Sequence, residues 1–97
     1  MYNINMLFEW DETKSKSNKR KHRVSFEEAE QAFNDLNAIE LFDEMNSEAE
    51  VRYQIVALSP IRLLFISYTV RESEIIRIIS ARKADADEER IYNEYNG

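Results

Sequence analysis

The feature that most constrains this chain is a change in the spacing of its apolar residues near Ala38. Before that point Phe26, Ala29, Phe33 and Leu36 recur at helical intervals, and Ser25 with Glu28 has capping-box spacing at the head of the run. The pattern predicts a helix from Phe26 to about Asp35 that packs on the core. Beyond Ala38 the pattern becomes extended. Ala38–Phe42, Arg52–Leu58, Arg62–Val70 and Ile75–Ala81 are rich in β-branched and aromatic side chains. Their connections, Asp43–Val51, Ser59–Ile61 and Arg71–Glu74, are too short for crossovers, so neighbours must be antiparallel.

The flanks complete the outline. Met6–Trp10 reads as a short strand that runs into Asp11, a good N-cap, and a helix from Glu12 to His22. Asp85 and Glu88 repeat the capping-box spacing, and Ile91 and Tyr95 lie one helical turn apart, which predicts a terminal helix over Asp85–Tyr95. The expected fold class is α+β: an antiparallel β-sheet meander with two N-terminal helices and one C-terminal helix, all on one face.

A length of 97 residues provides for one core, and the sole glycine and proline, Gly97 and Pro60, mark no linker. A single domain over 1–97 is expected. Eleven aromatic residues suffice to close that core. No apolar run approaches the roughly 20 residues of a membrane span, and Met1–Trp10 has neither the basic start nor the cleavage site of a secretory signal. The absence of cysteine rules out disulfides, thiol nucleophiles and thiolate metal sites, and makes the cytoplasm the natural compartment.

Charge is unevenly placed. Lys14, Lys16, Lys19, Arg20, Lys21 and Arg23 fall within ten residues that hold no acid, while the remaining 87 residues carry a net −12. A nucleic-acid coat would be basic throughout, so any such contact must be local; a merely solvated helix is the commoner meaning of such a run. Lys14, Asn18 and His22 share one face of that helix, which has hardly any apolar stripe, so burial alone cannot hold it.

Phosphate loops, dinucleotide fingerprints, nucleophile elbows and paired histidines are all absent. No cofactor is expected, and no metal: Asp85, Asp87, Glu88 and Glu89 sit where acids ordinarily serve a helix start. His22 is the one side chain whose type titrates near neutrality, which suits proton transfer, although a lone histidine at a helix end is more often structural. Arg77 lies among Ile75, Ile76, Ile78 and Ile79, and strand alternation turns Arg82 to the other face unless a bulge intervenes. Pairing with a carboxylate is as plausible for these arginines as ligand binding.

Taken together, Phe8-Glu9-Trp10-Asp11, Lys14, Asn18, Lys21-His22 and Val24-Ser25-Phe26-Glu27-Glu28-Ala29 resemble the opening of the BrnT toxins, F-x-W-D-x-x-K-x-x-x-N-x-x-K-H-G-V-S-F-E-E-A. Ser47-Glu48 and Glu50 with Arg52 resemble that family's S-E-x-E-x-R stretch. Arg77 to Ala84 resembles its R-I-I-S-A-R-x-A signature, followed by Glu88 and Tyr92. The resemblance implies a RelE-like fold and a bacterial type II toxin–antitoxin module. Its toxin is a ribonuclease that inhibits translation. Its partner is a BrnA-type ribbon-helix-helix antitoxin in a hetero-oligomer that reaches DNA only through the antitoxin, with no membrane contact.

The mechanism expected with that resemblance uses the 2′-hydroxyl of the RNA substrate as nucleophile and needs no metal. His22 is the candidate general acid or base. Lys21, Arg77 and Arg82 are the candidates for stabilising the scissile phosphate, Arg52 and Tyr92 for orienting substrate, and Lys14 and Lys19 for binding flanking backbone. The basic helix is equally a target for the antitoxin's carboxylates. Two departures stand out. Arg23 replaces the family's glycine, which forces a residue with a Cβ into a left-handed helix end. Asp85, Asp87 and Glu89 stand where Thr or basic residues are usual, and acids repel phosphate. These acids favour a second reading, a catalytically weak or inactive toxin homologue that binds the antitoxin as a co-repressor.

Overall fold

The computed structural model describes residues 6–43, 51–72 and 74–97. The elements are β1 (Leu7–Glu9), α1 (Glu12–His22), α2 (Phe26–Ala32), β2 (Ile39–Asp43), β3 (Arg52–Leu58), β4 (Leu63–Arg71), β5 (Ile75–Lys83) and α3 (Ala86–Asn96). Ser47, Glu48 and Glu50, which carry part of the resemblance, lie outside the described residues.

The strands form one five-stranded sheet in the order β1-β5-β4-β3-β2. The meander β2 to β5 is antiparallel throughout, as the short connections require. The added strand differs: β1 runs parallel to β5, with Leu7 opposite Ile75 and Glu9 opposite Arg77, so the sheet is mixed rather than wholly antiparallel. A parallel neighbour needs a long crossover, and the whole chain from α1 to β4 lies between these two strands. Helices α1 and α2 carry the chain from the β1 edge to the β2 edge.

One face of the sheet, bearing Ile55, Ala57, Leu64, Ile66, Tyr68, Ile76, Ile78 and Ala81, closes with Val24, Phe26, Ala29, Ala32 and Phe33 over a fully buried core. Edge-to-face ring contacts tie the layers: Phe8 to Phe33 at 5.2 Å, Phe33 to Tyr68 at 5.1 Å and Trp10 to Phe26 at 5.9 Å between centroids. Helix α3 departs from the expected arrangement, because it packs on β3 and reaches Arg82 on the opposite face. Its start is a complete capping box, in which Asp85 accepts from the Glu88 amide and Glu88 from the Asp85 amide.

The capping box expected at α2 forms only in half. Ser25 Oγ accepts from the Glu28 amide at 3.0 Å, but the Glu28 carboxylate is taken by Arg62 at 2.8 and 3.1 Å and by Ser59 Oγ at 2.7 Å. Helix α2 then ends at Ala32 rather than Asp35, through i to i−3 bonds from Phe33, Asn34 and Asp35 that tighten the chain. Leu36, expected in the core, is therefore 90% exposed.

At the end of α1, Arg23 adopts φ 61° and ψ 26°, the left-handed conformation that the missing glycine implied, and its amide closes on Lys19 O at 2.8 Å. A side chain there costs about 1–2 kcal/mol, less the greater flexibility of unfolded glycine. Arg23→Gly should raise the unfolding free energy by about 0.5–1 kcal/mol in urea titration; a loss of stability would show that the helix end is unstrained.

Candidate active site

Helix α1 has almost nothing to bury, and a hydrogen-bonded asparagine anchors it. β1 pairs with β5 only through Arg77, so the β5 edge is free beyond that point. There Asn18, nearly buried, behaves as a one-residue strand: its Nδ2 donates to Ala81 O at 2.8 Å and its Oδ1 accepts from Ala81 N at 3.1 Å. Nδ2 also donates to Val24 O at 3.0 Å, which fixes the chain's exit from the helix. Lys14 and His22 lie one turn on either side of this anchor.

Between the last β1 contact and Asn18, strand β5 bulges. Ser67 pairs with Ser80 but Tyr68 with Ile78, so Ile79 is the extra residue. The result is a shallow cleft of about 220 Å³ between α1 and the bulge, lined by Lys14, Ser17, Asn18, Lys21, His22, Ile79 and Ser80. Among the described residues Lys14, Lys21 and His22 have no acidic partner. The basic last turn of α1, Lys19 to His22, also suits the negative end of the helix dipole. An imidazole and two ammonium groups beside a serine hydroxyl can move a proton next to an anion and stabilise its charge. The cleft is smaller than usual small-molecule pockets of roughly 300–1,000 Å³ and open, which suits one phosphodiester of a strand lying across it.

The structure gathers Lys14, Lys21 and His22 and places the other expected residues elsewhere. The bulge turns Arg77 and Arg82 to the same face of β5, away from the core, but neither lines the cleft. Arg77 shares Glu9 Oε2 with Arg71, at 3.0 and 2.9 Å, and these bonds, that of Arg77 foremost, hold the Glu9 carboxyl below its ordinary range. Arg82 lies 4.3 Å over the Phe65 ring and is held by both Glu88 oxygens at 2.8 and 2.9 Å, which raises its already high pKa. Lys19 faces a different depression, with Pro60 and Ile61. Tyr92 donates to Asp35 Oδ2 at 2.7 Å, and burial, then Asp35, push its pKa to about 12. Arg52 stands on β3 opposite Asp43 and Thr69.

Sequence reasoning missed Ser80 as a cleft residue. Burial reveals the extra residue, since core positions Ile76, Ile78 and Ala81 break the two-residue period, but in the sequence Ile75 and Ile79 are equally apolar and hide it. Among the described residues no three His, Cys, Asp or Glu side chains converge as a metal site, and no helix is long and apolar enough to cross a membrane.

Residues 10–88 match the family described as the ribonuclease toxin, BrnT, of type II toxin–antitoxin systems. No curated protein sequence matches the chain significantly. The crystal structure of the Brucella abortus ribonuclease toxin BrnT is similar in fold: TM-score 0.65 and 23% identity, over 82% of this chain and 97% of that one.

Proposed function

The chain belongs to the BrnT ribonuclease toxins of type II toxin–antitoxin systems, and from that membership we propose that the cleft between α1 and β5 is where it cuts RNA, without a metal. The observation that carries this reading is the sole histidine standing in an open cleft beside two lysines that have no acidic partner among the described residues. The RNA's 2′-hydroxyl attacks the adjacent phosphorus, and the bond to the 5′-oxygen of the next nucleotide breaks. His22 takes the proton of the attacking hydroxyl or supplies one to the departing oxygen. Lys14 and Lys21 stabilise the charge of the phosphorane.

Arg77 and Arg82 serve the flanking strand only where phosphate displaces Glu9 and Glu88. Lys19, Arg52 and Tyr92, which do not line the cleft, are at most outlying contacts. The partner is a BrnA-type ribbon-helix-helix antitoxin, DNA is reached through it, and the compartment is the cytoplasm. The occupied arginines favour the second reading, a co-repressor that holds the antitoxin without cutting.

Antitoxin-free protein should cleave single-stranded RNA in the presence of a chelator, leaving a 2′,3′-cyclic phosphate or its 3′-phosphate product. DNA of the same sequence, lacking the nucleophile, should survive. No cleavage by folded, antitoxin-free protein would leave the co-repressor reading in its place.

A further inference from the structure

On a side of the molecule separate from the cleft, two depressions of about 410 and 470 Å³ share Gln31 and Pro60 as a common wall. Apolar side chains stand exposed along them: Leu36 at 90%, Ile61 at 75% and Leu58 at 50%. A patch of this kind on a small charged domain is the usual mark of an interface.

The backbone beneath is tied by hydrogen bonds to Asp35 and Ser59. Asp35 accepts from the amides of Asn37 and Leu58 at 2.9 and 2.8 Å and from Tyr92 at 2.7 Å. Ser59 Oγ accepts from the amides of Ile61 and Arg62, both at 3.1 Å, while it donates to Glu28. These bonds fix the chain on both sides of the groove, so its apolar side chains are presented at little entropic cost on binding. At the Ile61 end the lining is charged: Glu28 is taken by Arg62, Glu27 is exposed, and Lys19 and Arg23 are two cations without an acidic partner among the described residues, a net positive balance.

We propose that this groove is the docking surface for the antitoxin: an amphipathic acidic segment of that partner lays its apolar side chains over Leu36, Leu58 and Ile61 and its carboxylates against Lys19 and Arg23. The proposal rests on the toxin–antitoxin reading and adds the surface. It divides the basic helix into two working faces, Lys19 and Arg23 toward the partner and Lys14, Lys21 and His22 toward substrate. Aliphatic side chains without an aromatic platform fit a protein partner better than RNA bases.

The test measures binding of the product of the reading frame adjacent to this chain's own by titration calorimetry. Leu36→Asp with Ile61→Asp alters exposed side chains and should leave the melting temperature and RNA cleavage unchanged while weakening binding by at least about thirtyfold. Lys19→Glu should weaken it and flatten its salt dependence. Lys14→Ser with Lys21→Ser should leave it within about threefold. Equal binding by the folded double aspartate variant overturns this surface while the antitoxin reading stands. Failure of the neighbouring product to bind wild-type protein overturns both, and concentration-dependent self-association abolished by the double variant assigns the groove to a second copy instead.

Discussion

Glu28→Gln should lower the unfolding free energy at neutral pH by about 3 kcal/mol, the low end of the cost of breaking a buried ion pair. Glu28 is only 9% exposed, whereas Arg62 keeps some access to water, which is why the upper end is not expected. The carboxylate bonds Arg62 twice and Ser59 once, joining the start of α2 to the turn between β3 and β4. Glutamine retains the shape but leaves Arg62 without a counter-charge. The Arg62 bonds hold the Glu28 carboxyl below its ordinary value of 4.5, against the opposing effect of burial and with help from Ser59. A depressed folded-state pKa stabilises the fold fully above the unfolded value and loses that effect as pH falls through the folded one. Urea titrations should therefore show the gap between wild type and variant wide at pH 7 and narrowing below about pH 4.5. A gap unchanged down to pH 2 would mean that the ion pair contributes nothing.

His22→Ala should slow RNA cleavage by about 10² to 10⁴, the usual worth of general acid–base help. The half-exposed imidazole lies outside the core and is not what anchors α1; Asn18 is. The variant should accordingly melt close to wild type, so that lost activity reads as lost chemistry. Single-turnover rates on one RNA oligonucleotide, with a chelator present, give the comparison. Cleavage retained by the folded variant would remove His22 from the mechanism and leave the cleft at most a binding surface.

Local signals carried the element order and the antiparallel meander, because each depends on neighbours a few residues apart, whereas the strained end of α1 came from the resemblance. The family pattern has glycine where Arg23 stands, and the backbone there is left-handed. What escaped depends on distant partners. Glu28 has capping-box spacing from Ser25, yet its carboxylate goes to Arg62, 34 residues on. Leu36 keeps helical spacing in a stretch where the helix has already ended, so it lies in solvent. The parallel pairing of β1 is set by which edge of the finished sheet is open. Of the residues named as candidates, the structure gathers only some in one place. Lys14 and His22 fall on one helical face and do meet in the cleft with Lys21, whereas Arg77 and Arg82 share a sheet face only through the bulge at Ile79 and are engaged by Glu9 and Glu88.

The assignment of the cleft is tested most directly by titrating a 2′-O-methyl RNA, which binds but lacks the nucleophile, into isotope-labelled, antitoxin-free protein and following amide shifts by NMR. The account predicts the largest shifts at Ser17, Lys21, His22 and Ser80, along both walls of the cleft. Shifts confined to the sheet face that bears Arg77 and Arg82, with the α1 residues unmoved, would contradict it.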